Sequence, residues 1–115
     1  MKVKKAVELD KAAVILKLLG DKTRLTMLKI LACEDCCVCE FVEIFHASQP
    51  SISQHLRKLK DAGLVRESRK GQWMFYSLNK EYEYKDYVLE VLDALPDQRY
   101  RLTELEEQGK RISCC

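Results

Sequence analysis

No stretch of the chain is apolar for long enough to cross a membrane. The longest uninterrupted apolar run, Ala12 to Leu16, falls far short of the roughly 20 residues a spanning helix needs. Proline and glycine are scarce, at two and four of 115 residues. With 33% charged and 47% hydrophobic residues, that scarcity excludes a disordered or low-complexity chain and suits one helix-rich domain. Internal repeats are lacking as well. A dominant charge is also missing, since 20 Lys and Arg stand against 18 Asp and Glu, so net charge says little about partners. The opening MKVKKAVELDK puts acidic residues where a secretory signal would be apolar, and a cytoplasmic protein with no membrane partner is expected.

What is present is uneven. Six cysteines are too few to staple a chain of this length, and a reducing compartment would keep them as thiols, which favours metal binding or redox sensing. Four of them, Cys33, Cys36, Cys37 and Cys39, fall within the short stretch CEDCCVC, and Cys114 and Cys115 end the sequence. Charge is also segregated. Between His46 and Gln72, Arg57, Lys58, Lys60, Arg66, Arg69 and Lys70 face only Asp61 and Glu67, whereas the balance reverses from Glu81 to Glu107. One end of the fold is therefore expected to be electropositive and suited to nucleic acid.

Apolar spacing predicts a helix over Val7 to Leu19 with Leu9, Ala12, Ala13, Leu16 and Leu19 as its stripe, closed by Gly20. Asp21 can cap a second helix whose buried stripe is Leu25, Leu28, Leu31 and Ala32. After the cysteines, Phe41, Ile44 and Phe45 supply a short apolar face and His46-Ala47-Ser48 a turn. Ser48 can cap the next helix, Pro50 is tolerated only in a first turn, and Gly63 marks the stop after Ala62. Two helices joined this way fit a helix-turn-helix.

In the second of these helices Ile52, Leu56 and Leu59 share one face, which leaves Ser51, Gln54, Arg57 and Lys58 on the other. Gln49, Ser53 and His55 join them as candidate DNA contacts. Such amide, hydroxyl and guanidinium groups read base edges or hold phosphates, although an ordinary solvated face has the same composition. His55 sits at the border, where a hydrogen bond within the fold competes with DNA contact. The β-prone runs Leu64 to Arg69 and Trp73 to Leu78 flank Lys70-Gly71-Gln72 and predict a hairpin wing, with Arg69, Lys70 and Gln72 beside the duplex. Tyr84, Tyr87, Val88, Val91, Leu92 and Leu95 form a broad stripe on a helix that Pro96 ends. With the first helix it is the candidate homodimer interface, which would set two reading heads about one DNA turn apart. Leu102 and Leu105 can form a short helix running to Gly109.

The expected fold is thus mainly α with a small β-hairpin, a homodimeric winged helix-turn-helix. Residues 1–96 form the DNA-binding and dimerisation domain, and residues 97–115 a C-terminal extension carrying the terminal cysteine pair.

The succession LGDKTRLTMLKIL, CVCEF, SQPSISQHLRKLKDAGLV, RKGQWMFYSL resembles the ArsR/SmtB family of winged-helix metalloregulatory repressors over roughly Val14 to Leu95. The resemblance implies a homodimer that holds double-stranded operator DNA without a required cofactor and releases it when a toxic metal or metalloid binds. The branch responsive to As(III) and Sb(III) often carries a CVC segment, here Cys37-Val38-Cys39, with a third cysteine three residues later, where this chain has Val42. Cys36 is the local substitute, followed by Cys33, Cys114 and Cys115. Thiols at i and i+2 point about 200° apart on a regular helix, so joint capture of one centre requires the helix start to open. A helix N-terminus is expected to lower thiol pKa and favour that capture.

Other readings stay open at this point. The family's zinc sensors use Asp, His and Glu on the last long helix, but His46 and His55 lie outside it. A thiol-based Cd(II) or Pb(II) sensor remains possible with the C-terminal pair, and so does a redox repressor switched by cysteine oxidation. An enzyme is not expected, because no base and orienting group accompany a nucleophile.

Overall fold

The computed structural model describes residues 6–111. In chain order its elements are α1 (Leu9–Leu19), α2 (Lys22–Leu31), β1 (Cys36–Cys37), α3 (Val38–Phe45), α4 (Gln49–Asp61), β2 (Val65–Lys70), β3 (Trp73–Leu78), α5 (Lys85–Asp93) and α6 (Arg99–Glu107). The strands form one antiparallel sheet in the order β1-β3-β2. Helices α3 and α4 with the β2–β3 hairpin make a winged helix-turn-helix, as the spacing predicts.

The core is centred on α2, which packs against α1, α4, α5 and β3. Met27, Leu28 and Ile30 have no exposed surface and Leu31 very little. With neighbours on several sides, burial spreads beyond the single expected stripe. Leu28 and Leu31 are buried as expected and Leu25 partly so, but Ala32 is exposed. Asp21 caps α2, its Oδ1 accepting from the Arg24 amide at 3.0 Å.

On α1 the expected stripe needs correction. Ile15 and Leu19 are buried, whereas Leu9, Val14 and Leu16 are 87%, 61% and 47% exposed. This helix packs chiefly on α2, so much of its apolar surface faces outward. Periodicity reports apolar surface without saying what covers it.

Helix α4 is built by its ends. His46 takes the left-handed conformation, with φ 51, and turns the chain out of α3. Ser48 Oγ then accepts from the Ser51 amide at 3.3 Å, with Pro50 in the first turn of α4. Ile52, Leu56 and Leu59 are fully buried, and Gly63 with φ 87 turns the chain into β2. In the hairpin, Lys70 pairs with Trp73, and Gly71 with φ 63 supplies the positive angle its tight turn requires.

The third strand is not anticipated by the sequence. Cys36 pairs with Tyr76 and Cys37 with Phe75, which fastens the cysteine segment to the wing just before α3 begins. A two-residue strand is too short to show alternation. At the other end, Val88 and Leu92 of α5 are buried, and Lys29 Nζ donates to the Leu92 carbonyl at 2.8 Å. Leu102 and Leu105 of α6 are buried as well, and α6 packs on α3.

Truncating Leu56 to alanine removes a fully enclosed side chain from the seam between α4 and the core. It is expected to lower unfolding free energy by about 2–5 kcal/mol, read as a shift in urea midpoint at unchanged slope. A loss below about 1 kcal/mol would contradict this packing.

Candidate nucleic-acid interface and thiol cluster

The outer face of α4 carries the residues the sequence points to. Gln49, Ser51, Ser53, Gln54, Arg57 and Lys58 are all exposed, as are Arg69, Lys70 and Gln72 at the hairpin end. A polar cleft of about 390 Å³ separates helix from sheet, lined by Ser53, Gln54 and Arg57 on one side and by Glu67 and Tyr76 on the other.

The basic excess is partly neutralised in the fold. Lys60 Nζ lies 2.6 Å from Glu67 Oε1, and Arg66 Nη2 lies 2.6 Å from Glu81 Oε1. Tyr76 donates its hydroxyl to Glu67 Oε2 at 2.8 Å. Hydrogen bonds from Lys60 and Tyr76 hold the Glu67 carboxyl below its ordinary range. The Tyr76 phenol is pushed up to about 12, by burial first and then by Glu67. Among the described residues Arg57, Lys58, Arg69 and Lys70 make no ion pair. Lys70 Nζ instead lies 5.3 Å from the centre of the Phe75 ring. The charge of these four cations is therefore not neutralised by an ion pair among the described residues.

His55 is only half exposed, and its Nδ1 lies 3.3 Å from Arg24 Nη1. Arg24 Nε in turn donates to the Leu18 carbonyl at 2.7 Å. This chain of contacts ties α4 to α2 and α1. His55 therefore has an internal partner, and Arg24 is a positioning residue that the sequence pattern did not single out.

The four described cysteines occupy different environments. Cys36 is fully buried within the apolar core, and Cys37 is 1% exposed at the N-cap of α3. Cys39, in the first turn, is exposed. Cys33 is half-buried, its Sγ 3.7 Å from the Lys29 carbonyl oxygen. Among the described residues no three His, Cys, Asp or Glu side chains are gathered as a metal site. Cys114 and Cys115 lie outside the described residues.

The expected lowering of thiol pKa is reversed for the two buried cysteines. Burial, then the nearby Glu40 charge, raises Cys36 far above the ordinary thiol range. Burial also pushes Cys37 up to about 11, outweighing the Glu40 and Cys39 amides that act to lower it. A helix start stabilises a thiolate only as far as desolvation permits.

Glu40 explains how this helix start is held. Cys37 and Glu40 form a reciprocal capping box, with the Cys37 amide donating to Glu40 Oε1 at 2.9 Å. Arg111 Nε donates to Glu40 Oε2 at 2.5 Å, and its Nη1 lies 3.4 Å from Glu34 Oε1. The sequence signal for the first contact is C-x-x-E, the spacing of a Ser/Thr capping box with a thiol in place of the hydroxyl. Arg111 is 71 residues from Glu40, and no local pattern could have revealed it.

Comparison with known proteins agrees with this geometry. The family model described as bacterial regulatory protein, arsR family, matches residues 21–67. The arsenic resistance transcriptional regulator ArsR1 of Pseudomonas putida is 38% identical over 109 residues, which cover 89% of this chain and 85% of that protein. An arsenical resistance operon repressor of Staphylococcus xylosus is 40% identical over 81 residues, covering 70% of this chain and 76% of that one. Among solved structures, reduced HlyU from Vibrio cholerae superposes with a TM-score of 0.66 at 35% identity, covering 77% of this chain and 92% of that one. The exposed polar helix, the hairpin wing and these likenesses agree: the chain belongs to the arsR family of bacterial regulatory proteins and is a DNA-binding transcriptional regulator.

Proposed function

We propose that the protein is a homodimeric repressor of arsenical-resistance genes that releases its operator when As(III) or Sb(III) is captured by thiolates at the start of α3. The observation that carries this reading is the position of Cys37 and Cys39, at the N-cap and in the first turn of the helix that leads directly into the reading helix. The printed names of the Pseudomonas putida and Staphylococcus xylosus relatives support it. Thiols are soft donors suited to trivalent arsenic and antimony.

The chemistry follows from the cap. Cys37 cannot bond arsenic and keep its capped, buried place. Capture draws the sulfur outward, breaks the capping box and unwinds the first turn of α3. Since α3 packs on α4, the unwinding re-aims the reading helix. A 100-fold loss of operator affinity needs about 2.7 kcal/mol of differential binding, well within the reach of bonds to sulfur. Cys36 can join the site only if β1 separates from β3, and Cys33 only if it turns from the Lys29 carbonyl.

On the DNA side, Gln49, Ser51, Ser53, Gln54, Arg57 and Lys58 enter the major groove while Arg69, Lys70 and Gln72 follow the backbone. Residues 1–96 form the reading and dimerising unit, with residues 97–115 as its extension. The outward Leu9, Val14 and Leu16 of α1 and Leu89 of α5 supply an apolar face for a second copy.

Three outcomes test these assignments. Arg57→Ala is expected to weaken operator binding by about 1–3 kcal/mol in fluorescence anisotropy, and an unchanged affinity would move the reading face elsewhere. Cys37→Ser and Cys39→Ser should each hold the operator yet resist release by arsenite, because serine is itself a good N-cap. Full release from both variants would remove the thiols from the mechanism, and release of the parent protein by peroxide but not arsenite would make them a redox switch. The double change Leu9→Ser/Leu16→Ser should shift sedimentation from dimer towards monomer, whereas an unaltered profile would place the interface on other surfaces.

A further inference from the structure

We infer that Glu67 is a charge gate on DNA binding: it occupies the Lys60 ammonium, withholds that cation from the phosphates and so limits how tightly DNA of any sequence is held. The inference rests on the reading face of α4 proposed above and adds to it a residue that restrains it.

Lys60 stands in line with that face. Ser53, Arg57 and Lys60 recur at i, i+4 and i+7 and therefore share one side of α4, where they line the helix wall of the polar cleft. Arg57 makes no ion pair among the described residues, whereas Lys60 Nζ lies 2.6 Å from Glu67 Oε1. The difference between the two cations is made by the sheet and not by the helix.

The geometry fixes Glu67 in this role. It sits on the edge strand β2, directly opposite Tyr76 of β3. The Tyr76 hydroxyl donates to Oε2 at 2.8 Å while Oε1 accepts from Lys60, so one oxygen is tied to the sheet and the other is presented to α4. Hydrogen bonds from Lys60 and then Tyr76 also hold the carboxyl below its ordinary range, and the gate stays charged at neutral pH. Asp61, the other carboxylate on the cleft, follows Lys60 directly in α4, and helix side chains one residue apart do not face each other. Nothing else on the cleft takes the place of Glu67.

The pair is also open enough to matter to DNA. The Lys60 and Glu67 side chains are 45% and 30% exposed, so an ammonium released from its partner enters solvent beside Arg57. A contact of this kind carries no sequence information, because it is made to phosphate. Each one steepens the fall of log K with log salt by about 0.9.

The test is a double-mutant cycle read by fluorescence anisotropy over a salt series, on the operator and on an unrelated duplex of equal length. A surface ion pair contributes little to stability, so the variants keep the fold. Lys60→Gln alone should leave the salt slope of the parent protein, since its ammonium is already occupied. Glu67→Gln should steepen the slope by about 0.9 and tighten binding to the unrelated duplex on the order of tenfold at about 0.1 M salt. Lys60→Gln/Glu67→Gln should return the slope to that of the parent. An unchanged slope in Glu67→Gln would overturn the gate, as would a flatter slope in Lys60→Gln, which would put Lys60 on a phosphate despite its partner. Equal steepening in the single Glu67 variant and the double variant would also overturn it, by assigning the gain to the lost repulsion of the carboxylate itself. Arg57→Ala separates the two levels of the reading. If it flattens the slope while the cycle shows no coupling, only the part of Glu67 is lost; if it too leaves the slope unchanged, the reading face of α4 falls with it.

Discussion

Glu40 is a carboxylate with no exposed surface, set at the start of the helix on which the proposed switching depends. A buried charge left without its partner costs about 3–5 kcal/mol, so its surroundings have to supply partners. The Cys37 amide does so from three residues away and the Arg111 guanidinium from 71 residues away. The carboxylate thereby joins three things that sequence keeps apart: the short strand β1, the first turn of α3 and the C-terminal extension. Burial beside this carboxylate raises the Cys37 thiol, against the pull of the Glu40 and Cys39 amides. In the proposed reading the inducer must displace this arrangement, and the cost of doing so sets a threshold against weaker thiol ligands.

On the proposed DNA-facing side, basic charge is selectively neutralised. Glu67 holds Lys60 and Tyr76, and Glu81 holds Arg66, which leaves Arg57, Lys58, Arg69 and Lys70 projecting from the helix and wing. The Lys60–Glu67 bond also ties the wing to α4. On the other side of α4, His55 and Arg24 connect it to α2 and the end of α1. Helix α4 is therefore held by a buried apolar seam and by polar ties at its flanks, and in the proposed switch a shift in α3 changes its aim.

Much of this was legible in the sequence because the signals are local. Asp21, Ser48, Pro50, Gly63 and Gly71 each fix a helix end or a turn through their own backbone chemistry, and the structure uses each as its residue type dictates. The spacing of Ile52, Leu56 and Leu59 identified both faces of α4. What was hidden was non-local. The outward side of α1 looks like any apolar stripe, the strand at Cys36–Cys37 exists only because β3 lies beside it, and the Arg111 contact spans 71 residues. The pKa of Cys37 was misread for the same reason: helix position is visible in sequence and burial is not.

The central claim is that the start of α3 is the element that gives way. Amide hydrogen exchange of the reduced protein, measured residue by residue with and without arsenite, tests this most directly. The account predicts that the amides of Glu40 to Glu43 lose protection on arsenite binding while those of the β2–β3 hairpin and α2 keep theirs. Unchanged protection in α3 under conditions where the operator is released would contradict it and place the switch in another part of the molecule.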